Sequence, residues 1–153
     1  MTKFLLSVHV LAAIVAVGPV TVAASMFPAA VRRAHAAGAD PASVADVRLL
    51  HRVCRVYSVV GLAVPVFGFA TASSLRVLGD AWLIVSIVLT AAAAGVLALL
   101  VLPAQERLLA GLDGASTSRD ATSRLAMLTG VFNLLWAVVT VLMIVRPGST
   151  TGV

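Results

Sequence analysis

Four stretches of the chain, residues 4–31, 56–75, 81–105 and 125–145, contain no Asp, Glu, Lys or Arg. Each reaches the roughly 20 residues needed to carry a helix across a hydrocarbon core about 30 Å thick. Closed barrels are the other way to satisfy every backbone group in lipid, but they need short strands alternating apolar and polar residues, and no stretch alternates. The pattern predicts an all-α, integral membrane four-helix bundle in a single domain, with helices at about 4–31, 42–75, 81–105 and 121–145.

The punctuation within these stretches shapes the expectation further. The first run is 28 residues, about 42 Å as a helix, longer than the core is thick. Pro19 lacks a backbone N–H and crowds the carbonyl one turn earlier, so a bend is expected near Gly18-Pro19, with Pro28 close to the inner end. A rival reading takes Lys3, the apolar run and the small residues Val22-Ala23-Ala24-Ser25 as a cleaved secretory signal; the run's continuation to Arg32-Arg33 favours a retained span. Asp40 followed by Pro41 is a helix-start signal, so the second helix is expected to begin before the membrane. Along it Val44, Val47, Leu50 and Cys54 share one face, and Arg48, Arg52 and Arg55 another.

Residues 76–80 alone separate the second and third spans, which predicts a tight antiparallel hairpin. Pro65 is expected to kink the second span between Gly61 and Gly68. In the third, Ala91 and Gly95 have small-xxx-small spacing, as do Thr90, Ala94 and Ala98, which lets another backbone approach closely. The segment GASTSRDATSR, residues 114–124, predicts a polar, mobile connection whose Ser and Thr can cap the fourth helix.

Charge sets the orientation. The inter-span segments one and three hold Arg32, Arg33, Arg48, Arg52, Arg55, Arg107, Arg119 and Arg124, eight cations against Lys3, Arg76 and Arg146 on the other side. The richer side is cytoplasmic, which puts both termini outside. Composition agrees with a lipid environment: 61% of residues are hydrophobic and 11% charged. The net charge of +5 does not imply nucleic acid, because the cations sit beside helix ends and form no patch interleaved with aromatics. The expected partners of Arg32, Arg33, Arg48, Arg52 and Arg55 are lipid phosphates or an acidic partner surface. Ten arginines against one lysine, in an Ala/Val/Leu-rich chain, suggest a GC-rich bacterial genome and a multi-pass protein of the plasma membrane. Cys54 is the sole cysteine, which rules out an intramolecular disulfide.

Little in the spans suggests chemistry. His9 shares a face with Ala12, Ala16, Pro19 and Ala23; an imidazole at this depth needs a partner, and an interhelical tether is the expected role. Haem is disfavoured, since His9 and His51 belong to opposite membrane faces, about 30 Å apart, and His35 lies in the first connection. No His/Cys/Asp/Glu cluster has metal-ligand spacing, so no cofactor is expected. Thr129, Asn133, Ala137 and Thr140 line one face of the fourth span beside Trp136, either as interhelical glue or as a solute path. All six acids fall in connections or at helix ends, which weakens ion coupling, and no nucleophile–base pair or phosphate loop suggests an enzyme. Trp82 and Tyr57 are placed as interfacial anchors.

The opening KFLLSVHVLAAIVAVG, with His9 and then Gly18, followed by an arginine-bearing first connection, resembles a family of small bacterial four-helix membrane proteins of uncharacterised function. Copper-resistance-type membrane proteins open similarly, but they place further histidines on later helices, and the third and fourth spans here have none. The Arg- and Ala/Val-rich chain is also similar to small accessory subunits of actinobacterial respiratory supercomplexes that join a cytochrome bcc complex to an aa3-type oxidase. That resemblance implies a peripheral, cofactor-free subunit packed against cytochrome oxidase. The expected function is therefore a non-catalytic accessory or assembly subunit. A small homo-oligomeric transporter or channel is the alternative, and a haem-binding redox protein a third.

Overall fold

A computed structural model describes residues 2–113 and 119–148. Helix α1 covers Thr2–Ala36. The second span is divided into α2 (Pro41–Val60) and α3 (Ala63–Leu75). The third comprises α4 (Ala81–Gly95), a π-helical turn (Val96–Val101) and α5 (Leu102–Asp113), and the fourth is α6 (Arg119–Val145). Among the described residues four helices are long and apolar enough to cross a membrane, so the chain has the build of a multi-pass membrane protein. The expected capping of the fourth helix by Ser116, Thr117 or Ser118 lies outside the described residues.

Local chemistry explains the interruptions. Helix α1 runs through Pro19 and Pro28 without a break in its helical residues. It ends where Gly38 takes a left-handed φ of 68°, with Gly38 N–H donating to His35 O at 3.1 Å and Ala39 N–H to Ala34 O at 2.8 Å. This paired closure satisfies carbonyls that a helix end leaves open, and glycine adopts it without a Cβ clash. Asp40 then caps α2: its carboxylate accepts from the Ser43 N–H at 3.3 Å and from the Ser43 hydroxyl, and Pro41 opens the helix. Those Ser43 bonds hold the Asp40 carboxyl below its ordinary range.

Pro65 acts one turn upstream of itself. It has no N–H to offer the Gly61 carbonyl, so Val64 N–H donates there instead at 3.0 Å, and the helix breaks at residues 61–62. Pro103 has a parallel effect in the third span. It cannot bond Leu99 O, and the preceding turn widens until the Leu102 N–H donates to Leu97 O, five residues back.

The helices pack around α1, which lies against α2, α3 and α6, while α4 lies against α6 and α5 against α2. The main core gathers at the end of the bundle where the first and third connections lie. Phe27, Val31 and Ala34 of α1 meet Val47 of α2, Val101, Leu108 of α5 and Leu125 and Phe132 of α6 there, all buried. Outward surfaces are apolar, with Leu99, Ile144, Phe4 and Val59 strongly exposed, as suits a hydrocarbon surround. The tight hairpin expected between the second and third spans forms only at its turn. Ala72, Trp82 and Leu83 cluster there, but α3 then follows α1 and α4 follows α6, because those neighbours offer the complementary surfaces. Trp82 is accordingly buried rather than an interfacial anchor: its indole N–H donates to Asp80 at 3.0 Å, and the Arg146 guanidinium lies 5.6 Å from the ring centre.

Candidate functional site: polar seams between the spans

Three groups of polar side chains lie between the helices of the bundle, while the buried hydroxyls of Thr71 and Ser86 donate to carbonyls of their own helices. The first joins α1 to α3. The His9 ring, 8% exposed, places Nδ1 2.9 Å from the Val64 carbonyl oxygen. A carbonyl only accepts, so Nδ1 carries the proton in this contact. The ring packs closely against Gly68, where an added Cβ would sit 3.0 Å from His9 Cε1 and 3.3 Å from Nδ1. Glycine at this point admits the imidazole between two helices.

The second group joins α2 to α5. Gln105 is fully buried; its amide Nε2 donates to Cys54 Sγ at 3.5 Å and its Oε1 faces His51 Nδ1 at 2.9 Å. With the amide oriented by the cysteine, His51 Nδ1 is the donor. The other ring nitrogen lies 3.7 Å from the exposed carboxylate of Glu106. Sequence reasoning missed Gln105, having placed it at the inner edge of the third span. Its signal was a lone amide two residues after Pro103, the residue that widens the turn and so sets the rotation of α5.

The third group lies between α1 and α6. The Asn133 amide donates to the Ser25 hydroxyl at 3.1 Å, and this bond is exposed on the flank of the bundle. Thr129 Oγ1 and Asn133 Oδ1 are buried with no hydrogen-bond partner. Trp136 packs edge-on to Phe132, ring centres 6.4 Å apart, half-buried beside this seam. Ser25 escaped the sequence reading because a serine among alanines resembles any other small residue.

Other sequence candidates lie apart. Pro19 and Pro65 are half-buried; α1 runs on through Pro19, and Pro65 accompanies the break at residues 61–62. The Ala91–Gly95 face, expected to meet a helix, does not do so within the chain. Ala91, Ala94 and Ala98 are exposed and a Cβ on Gly95 would meet nothing within 4 Å, because Ser86, Ala93, Leu97 and Val101 carry the packing instead. Arg32 and Arg33 are exposed at the end of α1. Arg48, Arg52 and Arg55 line a shallow groove on α2 with His51, Val56 and Val59.

No family model, curated protein or solved structure matches the chain. Among the described residues no three His, Cys, Asp or Glu side chains converge as a metal site. The two histidines bond to different spans. His9 meets Val64, which lies 13 residues beyond His51 on the second span, about 20 Å along a helix. The arrangement supports hydrogen-bonded tethering; Cys54 is buried and bonded to an amide.

Proposed function

We propose that this chain is a non-catalytic accessory or assembly subunit of a larger membrane complex in a bacterial plasma membrane, its termini outside and its arginine-rich connections inside. The observation that carries the proposal is the exposed Ser25–Asn133 hydrogen bond beside the two unpartnered oxygens of Thr129 and Asn133. Ser25 lies seven residues from Arg32 and Asn133 nine from Arg124, so the seam sits roughly 10 to 14 Å inside the arginine boundary, where lipid offers no hydrogen bonds. A polar flank at that depth is stabilised by a neighbouring protein. The small, open face at Ala91 and Gly95 is a second surface suited to close helix approach.

The complex we put forward is the respiratory assembly of a cytochrome bcc complex with an aa3-type oxidase, on the resemblance in composition and span count. Purification of the tagged chain in mild detergent tests this: cytochrome subunits co-purify in fixed ratio. Recovery only as a free monomer or homo-oligomer contradicts it. A homo-oligomeric transporter or channel is the second reading, favoured by the same exposed Ser25–Asn133 pair as a path-lining polar group. It predicts solute flux in liposomes that Asn133→Ala abolishes.

A further inference from the structure

The groove on α2 shares only His51 with the seams described above. It is about 420 Å³ in volume and is lined by Arg48, His51, Arg52, Arg55, Val56 and Val59. Its composition is graded along the helix: guanidinium and imidazole groups occupy the end nearer the first connection, and Val56 and Val59, 52% and 68% exposed, continue it toward the middle of the span. Residues 48, 52, 55 and 59 recur at steps of three and four, so a single ligand lying along the helix meets all of them. Like charges at these spacings repel, and an anion seated among them relieves the repulsion.

Acidic neighbours do not account for Arg52 and Arg55. Glu106 approaches the imidazole of His51, and Asp46 is about 150° away around the helix from the middle of the groove. Among the described residues neither Arg52 nor Arg55 forms an ion pair.

We infer that this groove binds one anionic phospholipid, its phosphate held by Arg52 and Arg55 and an acyl chain laid along Val56 and Val59. The polar-to-apolar grading selects a lipid over an acidic protein loop, which would leave the valines uncovered. It also selects a lipid over free phosphate, which would use only the cationic end. Arg32 and Arg33 lie at the same membrane face, exposed and without such a trough, and so provide an internal control.

The test is native mass spectrometry of the full-length chain in detergent, titrated with phosphatidylglycerol and, separately, with phosphatidylcholine. Phosphatidylglycerol is retained preferentially at one site. The double variant Arg52→Gln/Arg55→Gln weakens that retention roughly thirtyfold, taking about fivefold per arginine near a membrane surface, while Arg32→Gln/Arg33→Gln changes it less than about threefold. Val59→Asn weakens phosphatidylglycerol retention and leaves any binding of inorganic pyrophosphate unchanged. Equal losses in the two arginine pairs, no preference over phosphatidylcholine, or full displacement of the lipid by pyrophosphate would each overturn the inference. Circular dichroism of each variant, unchanged in helix content, separates lost binding from lost folding.

Discussion

Two seams run along α1, and they differ in how their polar groups are satisfied. Against α3, the imidazole of His9 meets a backbone carbonyl and a glycine shaped to receive it, so the seam is closed within the chain. Against α6, Ser25 and Asn133 bond to each other in the open while two buried oxygens go without donors. The same helix therefore presents one finished surface and one unfinished surface. A finished seam holds this protein together; the exposed Ser25–Asn133 pair of the other faces outward, and in hydrocarbon exposed polar groups are stabilised by another protein or by enclosed water.

The sharpest way to break the contrast is to disturb the closed seam sterically. Gly68→Leu drives atoms into the His9 ring, already 3.0 Å from the position of a Cβ, and is expected to cost about 2–3 kcal/mol in denaturation by SDS in mixed micelles. Adding His9→Ala makes room and recovers part of the loss; no recovery would mean the ring is not the obstacle. A smaller but still clear effect is expected where α2 meets α5. Gln105→Leu keeps the volume but strands the His51 N–H and the Cys54 sulfur, costing about 2 kcal/mol by the same measurement.

The open seam is predicted to behave oppositely. Thr129→Val removes an oxygen that has no partner, so the isolated chain keeps its stability or gains up to about 1 kcal/mol. A loss as large as that of Gly68→Leu would show that the seam is closed after all. The smallest effect concerns the start of α2. Because the folded-state pKa of Asp40 is lowered, its capping contribution is present above the ordinary carboxylate range and lost as pH falls through the folded value. The protection of the Ser43 amide against exchange, taken relative to its intrinsic rate, is expected to fall on acidification below about pH 4, and Asp40→Asn to remove most of that dependence.

Much of the architecture was legible because hydrophobic length is a direct consequence of the solvent. Uncharged runs and the Asp40-Pro41 start signal are properties of local sequence, and they mark the spans and the cap of α2. The His9 partner was not legible, since a backbone carbonyl leaves no trace in residue identity; only Gly68, one glycine among several, hinted at it. The Gln105 network was hidden by the π turn before it, which shifts the helical register by a residue and so defeats a periodicity count. The small-residue stripe at Ala91 and Gly95 misled for a related reason: it marks where a helix can approach, not which chain supplies that helix. Divergence of α3 from α4 likewise followed from competition with α1 and α6, which no single pair of segments reveals.

The central claim, that the α1–α6 flank is covered by another protein, is tested most directly by a photo-crosslinking amino acid placed at Ser25 in native membranes. Leu134, 66% exposed and next in sequence to Asn133, serves as the control on another side of α6. The expected result is adducts with a distinct membrane protein from position 25 and with lipid alone from position 134. Lipid adducts alone at both positions, or adducts only with a second copy of this chain, would contradict it.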